Sequence, residues 1–267
     1  MKKALLYLLL ALGISVAVLL IGGAVMGFAA GFIDGFNESV PGTTSPSRLM
    51  TYSGLIMIAG VCAVLHWVFI RWRFAEYSKG RVPKEKRWQV LGWLLPAMGG
   101  LALLYWVIYN PIAEPDGTML TEDDETIRAT YLWMKSHPFY TLLWASLIEA
   151  TANLVLFGAV LREILEWRHR PQVIIPIFAA IMGLLNLIMG KPLLIIPSMM
   201  VAMVEAWTYE CTRSIVPIII GDIFYWIVSL ILIGIPLSPW FFLVAVVIIL
   251  PSIVMLMKTM DPYKPID

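Results

Sequence analysis

Long apolar runs separated by short polar stretches set the pattern of the chain. The runs fall at about 4–30, 49–71, 89–109, 139–165, 173–190, 193–210, 214–234 and 239–257. A helix needs about 20 predominantly apolar residues to cross a hydrocarbon core. Only a segment that closes its own backbone hydrogen bonds is stable there. The pattern therefore predicts an all-α, polytopic transmembrane bundle of about eight helices. The fifth and sixth runs are short and joined only by Lys191-Pro192, which predicts a tight helical hairpin and leaves open whether each crosses fully. Pro96, Pro176, Pro197, Pro217 and Pro251 lie within or near the runs, where each removes a backbone donor and can kink its helix. The first run follows Met1-Lys2-Lys3 like the start of a signal peptide, but it continues through Ala30. A signal-peptide core runs to only about 7–15 residues, so this run is read as a retained span.

Composition reinforces the pattern. Of 267 residues, 60% are hydrophobic and 14% charged, with mean hydropathy +0.83, against roughly 25% charged in a soluble domain. The net charge of +1 says nothing about nucleic acid, and with no basic stripe visible on a soluble face no nucleic-acid partner is expected. Cys62 and Cys211 sit inside or at the edge of apolar runs and do not form a disulfide framework. With the N-terminus inside, 15 of the 19 Lys and Arg residues are cytoplasmic, including a cluster from Arg71 to Arg87. Only Arg48, Arg128, Lys135 and Lys191 fall outside. The positive-inside rule then predicts a multi-pass protein of the cell membrane with both termini cytoplasmic. The whole chain, 1–267, reads as one integral membrane domain. A basic loop at 71–88 faces the cytoplasm, and an acidic loop at 110–138 is external, long enough for a short helix from Glu122 to Met134. Trp72, Trp88, Trp106, Trp133, Trp167 and Trp240 lie near span ends and read as interfacial anchors.

Ionisable groups inside spans are costly and are functional candidates by default. His66 lies a turn from Arg71 and reads as a packed, hydrogen-bonded histidine. Glu205 and Glu210 approach the cytoplasmic end of the sixth span, where pairing with Arg213 or contact with water explains them. Glu149 and Asp222 are further from any span end, where a carboxylate costs about 2.5–3.5 kcal/mol. Glu149 and Asn153 are four apart and share a helix face. With Asn186 in the fifth run and Asp222 in the seventh, they are the candidate lining of one polar pocket. The plainer reading is interhelical hydrogen-bond glue, on the order of 1 kcal/mol per pair.

The second half carries the run Tyr209-Glu210-Cys211-Thr212-Arg213-Ser214-Ile215-Val216-Pro217-Ile218-Ile219. It is similar, with its proline one position early, to the Tyr-Glu-x-Thr-Gly-Ser-Ile-x-x-Pro of the CAAX prenyl protease and bacteriocin-processing family (CPBP, or Abi) of intramembrane proteases, which the second half resembles. Leu154 to Leu161, with Gly158, resembles the segment around the Arg-Gly of its first motif. The resemblance covers about residues 140–234 and implies a CAAX-protease-like core within 139–257. It also implies that the catalytic residues are replaced. The paired glutamates fall on Ala152 and Asn153, and the arginine on Phe157. The phenylalanine and histidine of the second motif fall on Met182 and Asn186, and the histidine and asparagine of the third on Asp222 and Trp226. Another register puts the first glutamate on Glu149 and its neighbour on Ala150, at the loss of the Gly158 match. Asn153 to Asn186 is 33 residues and Asn186 to Asp222 is 36, similar to the family's spacing.

Peptide hydrolysis needs a base for water and groups that stabilise the oxyanion and protonate the leaving amine. Asparagine does not titrate and Ala152 is apolar, so the family's mechanism is not expected. No HExxH occurs, and His66, His137 and His169 lie in separate segments, so neither a metal nor a cofactor is implied. The first reading is a non-catalytic, CAAX-protease-like membrane protein that binds or scaffolds another membrane protein, a prenyl or lipid chain, or a peptide. The alternatives are an unconventional intramembrane endopeptidase using Glu149 and Asp222 as a carboxylate pair, and a transporter component or accessory subunit of a membrane complex.

Overall fold

The computed structural model describes scattered positions within 6–24, then 58, 60–68, 82, 86–108, 132–167, 170–188, 192–233, 235 and 238–260. Most of the two N-terminal spans, the basic loop 71–88 and the acidic loop 110–131 lie outside the described residues. Among those described there are helices and turns and no strand.

Besides the helical stretches at 60–68 and 132–136, six longer helices are found among the described residues: α1 (Arg87–Ile108), α2 (Pro138–Trp167), α3 (Pro171–Ile188), α4 (Ile195–Thr212), α5 (Val216–Leu232) and α6 (Trp240–Met260). A 3-10 turn, Pro192–Leu194, leads into α4. Their starts are set by proline: Pro138 and Pro171 open α2 and α3, Pro217 lies in the first turn of α5, and Pro239 immediately precedes α6. At the first helical positions the backbone N–H has no partner within the helix, so proline costs nothing there and its fixed φ favours the helix. Pro96, Pro176 and Pro251 instead lie inside their helices. By length and apolar composition, α1, α2 and α6 are each sufficient to cross a membrane; α3 and α5 are apolar but shorter.

The chain divides into two compact units. The first takes Met1–Ala75 with Leu143–Glu163, and the second takes Glu76–Leu142 with Ile164–Asp267. In the second unit α1 is the spine. It packs against α6 and α5 and touches α4, while α3 and α4 pair with each other. Helix α1 is apolar around its whole circumference, as befits a helix surrounded by others, and Val90, Leu94, Ala97, Met98 and Leu101 are fully buried.

The α3–α4 pair is the hairpin expected from Lys191-Pro192. A Cβ on Gly183 would run into the Met199 side chain and, at 2.8 Å, into the Ile195 carbonyl oxygen. Glycine is what lets the two backbones come this close.

Two ends of the second unit can be told apart. At one, the Val82 amide donates to the Cys211 carbonyl (3.1 Å), bringing the approach to α1 against the last turn of α4. At the other, Trp106 near the end of α1 clusters with Leu230 and Ile233 at the end of α5. Trp106 is therefore core, not the interfacial anchor expected, because α5 closes over it. Trp88 and Trp240 are largely exposed. The short connection from α5 starts α6 at the Trp106 end, so the last turn of α6, with Lys258, returns to the end where α1 begins.

Candidate polar site

Helix α2 supplies the first part of the predicted pocket. Glu149 is half-buried and Asn153 is 3% exposed, and one helical turn separates them, as the spacing predicts. Both belong to the first unit. Phe157, which stands where the resemblance places an arginine, is fully buried.

Next to Asn153 the helix departs from α geometry. Leu156–Leu161 form a π-helix, and the Arg162 amide reaches back to the Phe157 carbonyl, five residues earlier. A π turn accommodates an extra residue and often marks a functional position. In an unbroken α-helix, nine residues make 2.5 turns, which would set Asn153 and Arg162 on opposite faces. With one extra residue absorbed, the effective spacing is about eight, and the two positions come within roughly 80° of each other. Both are buried, Arg162 at 6% exposure. Sequence patterning placed Arg162 among the solvated cytoplasmic charges. Its one available clue was Gly158, at the centre of the irregular turn.

The first unit also holds His66, which is completely buried and whose Nδ1 lies 2.7 Å from the Cys62 carbonyl oxygen. That is a donor satisfied one turn back along its own helix, the packed arrangement the sequence favours for it. Cys62 and Cys211 are both buried free thiols.

The second unit holds Asn186 on α3 and Asp222 on α5. Asn186 is 6% exposed, and its side-chain amide donates to the Gly183 carbonyl (3.0 Å). The amide is thus used to satisfy its own helix, at the position where the resemblance places a histidine. Asp222 is 4% exposed and lies one turn after the fully buried Ile218; Ser229, seven residues on, is also buried. Trp226 is half-buried on the same helix. The four candidate residues are thus divided evenly between the units: Glu149 and Asn153 on α2, Asn186 and Asp222 on α3 and α5.

A second polar group surrounds the end of α4. Glu210 is 2% exposed and ion-paired with Arg213, whose Nε also donates to the Glu210 carbonyl (3.2 Å). Thr208 and Thr212 each donate to the carbonyl four residues back, both at 2.7 Å. Arg213 is left-handed (φ 49°, ψ 32°), and its amide closes the helix onto the Tyr209 carbonyl. A left-handed residue at this position commonly ends helices and is usually glycine. Among the described residues no group of three or more His, Cys, Asp or Glu is placed to hold a metal. Compared with protein-family models, with characterised proteins and with solved structures, the chain matches none.

Proposed function

We propose that the chain is a multi-pass membrane protein, both termini cytoplasmic, that uses a CAAX-protease-like helical core for binding rather than for catalysis. Its partner is a membrane protein, a prenyl or lipid chain, or a peptide held at inherited polar positions. One observation carries the reading. Asn186, standing for a catalytic histidine, cannot exchange a proton, and its amide is engaged by the Gly183 carbonyl of its own helix. Two further features support it. The left-handed Arg213 occupies the place of the glycine in the family's Tyr-Glu-x-Thr-Gly-Ser run, and α4 is followed at once by the helix bearing Asp222. A site without paired glutamates and histidines lacks the general acid and base that peptide hydrolysis requires.

The test is an assay of the purified chain against prenylated and leader-type peptides. Binding without turnover is the expected result. Cleavage abolished by Asp222→Asn or Glu149→Gln would instead establish the carboxylate-pair endopeptidase and end the non-catalytic reading.

A further inference from the structure

The second unit carries an open groove of about 780 Å³ between α1, α5 and α6, within the roughly 300–1,000 Å³ typical of ligand sites. Every residue lining it is apolar, among them Gly92, Pro96 and Gly99 on α1, Phe224 on α5, and Val244 and Ile248 on α6. Along α1 it extends from Gly92 to Leu103, about 16 Å at 1.5 Å per residue. Neither Asn186 nor Asp222 lines it.

Charge decides the occupant. Of the three helices that wall it, α1 and α6 contain no acidic residue, and the one acid of α5, Asp222, is buried and is not part of the lining. Lys86 and Arg87 at the start of α1 and Lys258 in the last turn of α6 belong to the same end of this helix pair, and all three are exposed. Trp88, also exposed, precedes Gly92 by one helical turn. An apolar channel that starts beside basic side chains and an exposed indole matches an amphiphile with a negative headgroup. We propose that the groove binds an acyl chain of an anionic phospholipid, with the phosphate at the Lys86, Arg87 and Lys258 end.

Gly92 makes the inference testable, because a Cβ there meets nothing within 4 Å. A side chain can therefore branch from Gly92 without a clash at Cβ, and Gly92→Phe is the substitution chosen to obstruct the groove at this end. The purified full chain, given an equimolar mixture of phosphatidylglycerol and phosphatidylcholine, is examined by native mass spectrometry. Phosphatidylglycerol is expected to be retained preferentially, and Gly92→Phe to abolish that preference. Replacing Lys86, Arg87 and Lys258 by Gln is expected to weaken retention by about fivefold for each charge removed. Equal retention of the two lipids, or unchanged retention in Gly92→Phe, overturns the proposal. So does displacement of the lipid by inorganic phosphate alone, which would indicate a site for the headgroup only. A phosphatidylglycerol with a photoactivatable acyl chain tests the native protein without any substitution. Labelling confined to 92–103, 224–232 and 241–248 is expected, whereas equal labelling of the exposed α3 face at Ile177, Ile181 and Leu184 would refute the groove.

Discussion

At the scale of single residues, the end of α4 shows two local costs set against each other. A left-handed backbone at a residue with a Cβ costs about 1–2 kcal/mol, so Arg213→Gly relieves the backbone. The same change removes the guanidinium ion-paired with Glu210, a carboxylate at 2% exposure, and breaking a buried ion pair costs about 3–5 kcal/mol. The second effect is larger, so Arg213→Gly is expected to lower stability in thermal unfolding of the detergent-solubilised protein. Glu210→Gln combined with Arg213→Gly is expected to recover most of the loss. A double substitution no more stable than Arg213→Gly would show that Arg213 acts through something other than Glu210. The pairing of Glu210 with Arg213 was legible in the sequence, since the two lie a helical turn apart at a span end. The left-handed backbone at Arg213 was not read from the sequence, since a residue with a Cβ carries no mark of it. The burial of Arg162 was not legible, because it depends on a register slip that leaves no regular mark on hydropathy.

Among the elements, hydropathy located the later helices well. The runs at 89–109, 139–165 and 214–234 correspond to α1, α2 and α5 to within a few residues, because a long apolar run bounded by proline and charge has few other ways to satisfy its backbone. It could not register the π segment inside α2, which changes which side chains share a face and not how apolar they are. The hairpin was legible from its two-residue polar joint, and Gly183 gives it a direct test. Gly183→Val places atoms where the Met199 side chain and the Ile195 carbonyl lie. Such overpacking typically costs about 1–3 kcal/mol. Thermal unfolding is expected to show that loss for Gly183→Val and almost none for Gly92→Ala, whose surroundings are open. Equal effects at both positions would mean that α3 and α4 are not held together at this point.

For the molecule as a whole, the proposed membrane topology has α1, α4, α5 and α6 alternate in direction, with the Lys- and Arg-rich ends on the cytoplasmic side. Ser214→Cys is expected to react with a membrane-impermeant maleimide only from the cytoplasmic side, and Ser238→Cys only from outside. Cys62 and Cys211 are both buried and should stay silent. Reaction of both engineered thiols from one side would disprove the alternation. The side on which Ser238 lies also holds Lys135, whose ammonium donates to the Ile233 carbonyl at 2.6 Å, at the close of α5. A cation there stabilises the negative end of the helix dipole, and it fastens the stretch just before α2 to the helix that contains Asp222. A displacement of the stretch around Lys135 must therefore either break this bond or carry the end of α5 with it.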